Sequence, residues 1–546
     1  MKRIVNGLLA FSCLLLAVSC ADYNETDNFS AQPDPTVKEP YKGLSSVKSY
    51  LDRATYPNMS IGATLDVKEF NKQELAHAAV IANFDNVAFG TSLMSGSIIN
   101  AKGVINFLEM KDLLDHMEQI GGEVFGSPLF ANANQADDWL NTLTAPIEIP
   151  VDYVEGKKVD FTTMSVGTKI DGGKASIVKY DNQNVLKIET EAKVRIVDGF
   201  DVDPLATYTT VFWAKSDVDA TFKITFSGNA IAGNASKGRW TFSAGKWQKI
   251  VVEGKAKEGE TDGYLRVENA LAGPIYIQKV EVGYYPDNHR PQTEQELKDT
   301  IDYAINAWCD GLMKINAGRI KSFDLIDEAI DTKSTDIVPG IYDIKHSTEK
   351  IFWQDILGSE NYAPEVSKVA SETFAKHGGN PANLKFFISE SGLDDAKKLE
   401  SLKYWIGVWD NNGAKIDGIN VKLNLSYSED ATKQEANKAS LNTLLEKLAE
   451  TGKLIRLSNF DITYKDASGA NVSAKDITED QRQQLADYYA YVIKTYMSKI
   501  PHEKQAGICK GNIVDTSDPV GLWAKEGVDW VRNAIYKAFC DALSGK

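Results

Sequence analysis

Eight short apolar segments alternate with eight amphipathic segments in the outer parts of this chain, and this alternation is what most limits its fold. The apolar segments have the length of buried strands, and the amphipathic segments have helical periodicity. Repeated strand–helix units imply a parallel sheet with right-handed crossovers, and eight units imply a closed (β/α)8 barrel of the TIM type in the α/β class. The predicted strands are Met59–Leu65, Asn86–Leu93, Val124–Ala131, Ile320–Ile326, Leu384–Ser389, Gly418–Leu425, Leu454–Ile462 and Gln505–Val514. The predicted helices are Asn71–Ala82, Phe107–Ile120, Thr293–Ile315, Tyr362–His377, Leu393–Asn411, Lys433–Thr451, Glu479–Ser498 and Val528–Leu543.

Residues 150–285 have a different pattern, with period-two alternation, many turn residues and almost no helical period. This pattern predicts an all-β jelly-roll sandwich, inserted after the third barrel strand. Its predicted strands include Val185–Glu189, Tyr208–Lys215, Thr221–Phe226, Trp247–Val252, Tyr264–Val267 and Ile275–Val282. The predicted domains are a signal peptide (1–19), a tether (20–44), a first barrel part (45–146), the inserted sandwich (147–288) and a second barrel part (289–546).

The N-terminus has the features of a targeting segment. Lys2 and Arg3 precede an apolar run from Leu8 to Val18, and Ala17-Val-Ser-Cys20 resembles a bacterial lipobox with Cys20 as the lipidated residue. The alternative is an ordinary cleaved signal peptide. Acidic residues behind Cys20 resemble the surface-export signal of Bacteroidetes lipoproteins, although a merely solvated linker has the same composition. We therefore expect an outer-membrane lipoprotein, anchored through Cys20 and exposed at the cell surface.

The charge of the chain limits its partners. A formal net charge of -16 opposes binding to nucleic acid or to an anionic membrane surface and is compatible with a neutral polysaccharide. Beyond Cys20, only Cys309, Cys509 and Cys540 remain, widely spaced and without a metal-binding motif. We predict that they are buried thiols, with one disulfide as the alternative.

The fourth predicted strand ends in two carboxylates, Asp327 and Glu328. The carboxyl ends of barrel strands form the active-site face, so this pair indicates acid/base chemistry. The seventh strand, where a second catalytic carboxylate is expected, carries Asn459 instead.

Several motifs resemble one family of enzymes. Phe323-Asp-Leu-Ile-Asp-Glu-Ala329 is similar to the fourth-strand segment Trp-Asp-Val-Val-Asn-Glu-Ala of family 10 glycoside hydrolases, the retaining β-1,4-xylanases, and Gly103-Val-Ile-Asn-Phe107 is similar to the segment before their second helix. In the insert, Phe212-Trp-Ala-Lys-Ser216 and Gly245-Lys-Trp-Gln248 resemble family 4 carbohydrate-binding modules. The resemblance implies a xylanase barrel that carries a binding module.

The same resemblance implies that the catalytic apparatus is incomplete. Glu328 matches the general acid/base, whereas Asn459 stands where the family has its carboxylate nucleophile. An amide cannot form the glycosyl-enzyme ester. The family's sugar-binding residues are also replaced around the subsite at the cleavage point, where the chain has Thr91–Ser95, Asn132, Asp327, Lys422, Asn424 and Cys509–Lys510. We therefore expect a pseudo-enzyme in which Glu328 either binds a ligand hydroxyl or pairs with Lys422; a rescued mechanism would have to use Asp327 or Asp461.

Aromatic rings are the usual platforms for sugars, whose C–H faces stack on them. In the insert the candidates are Trp240, Tyr208, Tyr264 and Tyr276, with Trp240 favoured because its neighbours are polar, while Trp213 and Trp247 alternate with apolar residues and are predicted to be core. In the barrel, Trp139 is a candidate, and Trp353, Trp405 and Trp409 are predicted to be packing residues.

The sequence therefore favours a cell-surface lipoprotein that binds a xylan-like β-1,4 glycan through Trp240, Asp327, Asn132, Lys422, Asn424 and Trp139. The alternatives are an active, divergent endo-β-1,4-glycanase with Glu328 as acid/base, and a scaffold of an outer-membrane glycan-import complex without glycan affinity. No cofactor is expected, apart from a structural Ca2+ in the sandwich that the family resemblance would allow.

Overall fold

A computed structural model describes residues 41–233, 239–271 and 273–546. The chain divides into two compact units, the first formed by the residues up to Thr144 together with Thr293–Lys546 and the second by Ala145–Gln292. The predicted signal peptide, Cys20 and most of the tether lie outside the described residues.

The first unit is a barrel whose strands are all parallel. Its sheet has the order β3-β2-β1-β9-β8-β7-β6-β5-β4. The outermost strands, β3 and β4, are two halves of the third predicted strand, and β3 is extended by a bridge from Gly126 to Phe323 of β5, so the sheet closes on itself. This confirms the predicted (β/α)8 barrel. The strands are β1 (Ser60–Thr64), β2 (Asn86–Ala88), β3 (Glu123–Phe125), β4 (Phe130–Ala131), β5 (Ser322–Asp327), β6 (Lys385–Ser391), β7 (Gly418–Ser428), β8 (Leu454–Lys465) and β9 (Gln505–Lys510).

Amphipathic helices connect these strands, and side-chain caps fix where several begin. Thr293 and Glu296 form a capping box at the start of the helix Glu294–Asn316, and Thr478 and Gln481 form another at the start of the helix Glu479–Lys499. None of the described helices is long and apolar enough to cross a membrane. The helices are α1 (Val67–Asn71), α2 (Leu75–Asn83), α3 (Ser95–Ile98), α4 (Leu108–Gln119), α5 (Asp137–Leu143), α6 (Glu294–Asn316), α7 (Trp353–Leu357), α8 (Tyr362–Lys376), α9 (Ala396–Asn411), α10 (Ala431–Ala449), α11 (Glu479–Lys499) and α12 (Ala534–Leu543).

Two predicted helices differ from the structure. The segment Asn71–Ala82 is broken between α1 and α2, where Gln73 has a φ of 56° that no α-helix allows. In the segment Val528–Leu543, the residues Asp529–Arg532 form a strand that pairs with Trp523–Glu526. The helix α12 therefore begins only at Ala534. Another small hairpin pairs Asp336–Val338 with Ile341–Tyr342.

The barrel core is apolar and continuous from strands to helices. Trp353, Trp405 and Trp409 are buried in it, as predicted. Cys309, Cys509 and Cys540 are buried free thiols, so the disulfide alternative is wrong. Burial in this core raises the pKa of Cys309 to about 12, which makes that thiol inert.

The second unit is a sandwich of two antiparallel sheets, one of five strands and one of seven. Its strands alternate between buried and partly exposed residues, most regularly along Thr207–Lys215, which is the pattern of a sheet with one face in a core. This confirms the predicted all-β insert. Its strands are Val154–Asp160, Lys169–Ile170, Ala175–Tyr180, Gln183–Ile188, Lys193–Asp201, Thr207–Lys215, Ala220–Phe226, Asn229–Ala230, Trp240–Phe242, Gln248–Gly254, Asp262–Leu271 and Ile275–Tyr285, with Ile147–Glu148 and His289–Arg290 paired at the ends of the unit.

Candidate functional site

The carboxyl ends of β5, β6, β7 and β8 form the candidate site. Register places Asp327 of β5 beside Ser389 of β6, and Lys422 of β7 beside Ser391 of β6 and Ser458 of β8. Because the strands are parallel and adjacent, polar residues at their ends meet at one rim of the barrel. The predicted residues Asp327, Glu328 and Lys422 are therefore brought together.

Glu328 lies between two lysines. Its Oε1 is 3.3 Å from Nζ of Lys422, which also lies 2.5 Å from Oδ1 of Asp327. Its Oε2 is 3.6 Å from Nζ of Lys398, which lies 2.7 Å from Oε1 of Glu390. Two cations thus face three carboxyl groups, so one of the carboxyl groups can stay protonated without leaving a charge unbalanced.

Like Lys398, Glu390 is a residue of this cluster that the sequence prediction missed. It is 0% exposed, and its Oε2 accepts a hydrogen bond of 3.2 Å from the backbone N–H of Ile330. It directly follows the predicted strand Leu384–Ser389, so the criterion that selected Glu328, a carboxylate at a strand end, would also have found it.

The two glutamates have opposite pKa shifts. Burial would raise the pKa of Glu328, but a hydrogen bond with Glu390 and the charges of Lys422 and Lys398 outweigh it and lower this pKa to about 2. Burial and the hydrogen bond with Glu328 raise the pKa of Glu390 to about 8. At neutral pH, Glu390 is therefore the protonated donor and Glu328 the ionised acceptor. A general acid must hold a proton when the substrate binds, and the lowered pKa of Glu328 opposes that role.

The backbone is unusual at Glu328 and Asn459, the two positions that the family resemblance matches to the catalytic pair. Glu328 has a φ of 53° and Asn459 a φ of 48°, in the left-handed region. Asn tolerates this region, whereas Glu adopts it at a cost of about 1 kcal/mol. The ion pairs of Glu328 offset that cost.

Asn459 lines a cavity of about 170 Å³ in the barrel mouth, together with Asp327 and Lys422. The nearest acidic residue along β8 is Asp461, which contacts the fully buried Lys510 and accepts a 2.6 Å hydrogen bond from Nδ2 of Asn512. Asp461 is thus engaged by its own partners, and the side chain of β8 that lines this cavity next to it is the amide of Asn459.

Three buried polar side chains, Asp324, Asn420 and Arg456, form a hydrogen-bonded cluster inside the barrel. Both carboxylate oxygens of Asp324 accept hydrogen bonds from Nδ2 of Asn420, at 3.0 and 2.9 Å, and Arg456 donates to Oδ1 of Asn420 at 3.3 Å. The guanidinium of Arg456 lies 3.8 Å from the ring centroid of Phe125. Burial raises the pKa of Asp324 to about 7, against the opposing charge of Arg456.

The other predicted barrel residues lie in different environments. Asn132 is buried and accepts a hydrogen bond of 3.0 Å from Gln354. Asn424 is exposed and lines a groove beside the mouth. Trp139 is only 7% exposed, because α5 turns its ring into the barrel core. The prediction that Trp139 is a sugar platform is therefore corrected, since a buried ring offers no free face.

The aromatic predictions in the insert are partly reversed. Tyr208, Tyr264 and Tyr276 are buried, which removes them as platforms. Trp240 is partly exposed and packs against the sandwich core with one side. Trp213 and Trp247, predicted to be core, are partly exposed; Trp213 lies on the outward side of its strand, with Nζ of Lys279 4.0 Å from its ring centroid.

No group of three or more His, Cys, Asp or Glu side chains arranged for a metal occurs in the described residues.

The comparisons with known proteins agree with the barrel fold. Residues 286–518, which include β5 to β9 with Glu328 and Asn459, match the model of glycosyl hydrolase family 10. Similar solved structures include endo-1,4-β-xylanase XylE of Penicillium canescens (12% identity, 92% of this chain and 98% of that chain covered, TM-score 0.50) and xylanase B of Clostridium stercorarium F9 (11%, 91% and 100%, 0.51). A family 10 endoxylanase from a sugarcane soil metagenome is similar too (9%, 92% and 100%, 0.52). No curated protein sequence matches the chain. At these identities the structural likeness establishes the fold.

Proposed function

We propose that this protein binds a xylan-like β-1,4 glycan and that its barrel no longer hydrolyses it. The observation that carries the proposal is the state of Glu328, whose pKa is lowered by Lys422 and Lys398. The family resemblance would in addition place Asn459 at the position of the nucleophile. A retaining glycosidase needs one protonated carboxyl group and one carboxylate about 5–5.5 Å apart. Neither role is filled at the two positions that correspond to the family's catalytic pair.

The sequence features beyond the barrel support a binding role at the cell surface. A lipid anchor at Cys20 would hold the protein on the outer membrane, and the tether behind it would let the barrel and sandwich reach an insoluble polymer. A glycan-import complex in the same membrane is the partner that such a protein would serve.

The alternative is a divergent glycanase with Glu328 as acid/base. The observation in its favour is the proton held by Glu390 next to Glu328, since a carboxyl pair that shares a proton can donate it. Against it, Glu390 is fully buried and cannot contact a substrate itself.

Affinity electrophoresis of the purified protein against xylans, glucans and mannans tests the binding proposal. We expect xylan to retard the wild type, and Trp240→Ala to weaken binding about tenfold, because one stacked ring is worth about 1–1.5 kcal/mol. Tyr285→Ala, which removes another exposed ring of the same unit, is the matched control and should bind as the wild type does. Migration unaffected by every glycan would refute the proposal.

A further inference from the structure

A groove of about 780 Å³ lies beside the barrel mouth, between the carboxyl end of β7 and the helix α10. Its volume lies within the range of about 300–1,000 Å³ that is typical of ligand sites. The polar side chains that line it include Lys422, Asn424, Lys433, Asn437, Ser440 and Lys465. No aromatic side chain of the described residues lines it, so stacking on a sugar face is not how this groove would hold a ligand.

Two lysines of this groove have no carboxylate oxygen at normal ion-pair distance in the described residues. Lys465 forms no ion pair within the described residues. Lys433 is 62% exposed, and its nearest carboxylate oxygen, on Asp430, is 3.8 Å from its Nζ. Neutralising either lysine with an external anion would therefore break no ion pair of normal length.

The acidic residues near the groove form no ion pair with Lys465 and no close one with Lys433 in the described residues. Glu429 stays ionised, because hydrogen bonds from Tyr464 at 2.7 Å and from Gln481 at 2.9 Å lower its pKa, and these bonds engage its carboxylate. Asp394 is the acidic residue of the lining, opposite three lysines. Lys422, at the inner end, is committed to Asp327 and Glu328. Within the lining of this groove, Lys433 and Lys465 are therefore the lysines that remain available to an anion.

We propose that this groove binds the uronic-acid units of an acidic polysaccharide. Lys433 and Lys465 would pair with sugar carboxylates, while Asn424, Asn437 and Ser440 would bind hydroxyl groups. Nδ2 of Asn437 already donates to the carbonyl of Ser426 at 3.0 Å, which leaves its amide oxygen to accept from a sugar. The inference rests on the proposed glycan-binding function and adds the chemical class of the glycan.

The test compares a glucuronic-acid-bearing xylan with the same xylan after its carboxyl groups are reduced to alcohols. We expect the wild type to prefer the acidic xylan about tenfold at about 20 mM salt and to lose that preference at about 500 mM, because exposed charge pairs are screened by salt. The double variant Lys433→Gln/Lys465→Gln should bind both xylans within about twofold, with unchanged affinity for the reduced one. Lys447→Gln, on the same helix but outside the groove, is the control and should keep the preference.

The outcomes separate this inference from the proposed function. Equal binding of both xylans by the wild type, or a preference that survives in the double variant, overturns the groove proposal and leaves glycan binding intact. Failure of the wild type to bind either xylan or any neutral glycan contradicts both. A thermal melt of each variant shows that the fold is retained, which we expect because Lys433 is exposed and neither lysine has a close ion pair.

Discussion

Purified protein incubated with β-1,4-xylan should release reducing ends no faster than a buffer blank, and Glu328→Gln should leave this result unchanged. The loss expected relative to an active retaining glycosidase is about 10⁴–10⁶-fold, because the amide of Asn459 cannot act as nucleophile and Glu328 carries no proton to donate. The matched control is Asn459→Glu. It restores only the nucleophile, so we expect it to remain inactive while Lys422 and Lys398 keep Glu328 ionised.

An active wild type whose turnover is abolished by Glu328→Gln would contradict this expectation and establish the alternative function. Activity that survives Glu328→Gln would point instead to a contaminating enzyme, which repeated purification of both proteins would remove.

Replacing Arg456 by Met should destabilise the barrel by about 3–5 kcal/mol at about pH 8, because it removes a buried positive charge that opposes the desolvation of the Asp324 carboxylate. Arg456 and Asp324 are both buried, and the substitution also removes the contact with Phe125. Chemical denaturation followed by tryptophan fluorescence measures the difference in free energy of unfolding.

The pH dependence of this loss has a definite sign. The pKa of Asp324 is about 7 in the folded protein, above its ordinary value of 3.8, so the folded state holds a proton that the unfolded state releases. Stability therefore falls as the pH rises between these two values. Without Arg456 the pKa rises further and the fall continues to higher pH, so the loss should be smaller at about pH 5.5 than at about pH 8.

The double variant Arg456→Met/Asp324→Asn supplies the control, since it removes the charge that the single variant leaves unpaired. It should recover about half of the lost stability at about pH 8. A loss that is the same at both pH values, with no recovery in the double variant, would mean that Arg456 acts through packing alone.

Much of the barrel follows from local patterns in the sequence. Buried strands such as Ile320–Ile326 are apolar on both faces, and the helices between them keep one apolar face, so their order alone predicts closure. The deviations occur where tertiary contacts override these patterns. The predicted strand Val124–Ala131 is split into β3 and β4, and Gln73 breaks a helix that its neighbours favour.

The sequence predicted which residues meet at the candidate site, but it did not predict how their charges pair. The positions of Asp327, Glu328 and Lys422 follow from strand ends. The pairing of Glu328 with a buried Glu390, the second cation from Lys398 on α9 and the left-handed backbone of Glu328 depend on packing between elements distant in sequence. Burial was also hard to predict for aromatic residues, because Trp139 and Trp213 have neighbours that favour either face.

A titration of the Glu328 and Glu390 carboxyl groups tests most directly the claim that the barrel has lost its general acid. Protein labelled with ¹³C at the glutamate carboxyl carbon, with Glu328→Gln and Glu390→Gln to assign the resonances, gives both pKa values by NMR. We predict that Glu328 stays ionised down to a pKa of about 2 and that Glu390 titrates at about 8. A Glu328 carboxyl group that takes up its proton at about pH 5–7, the range of a working general acid, would contradict this account.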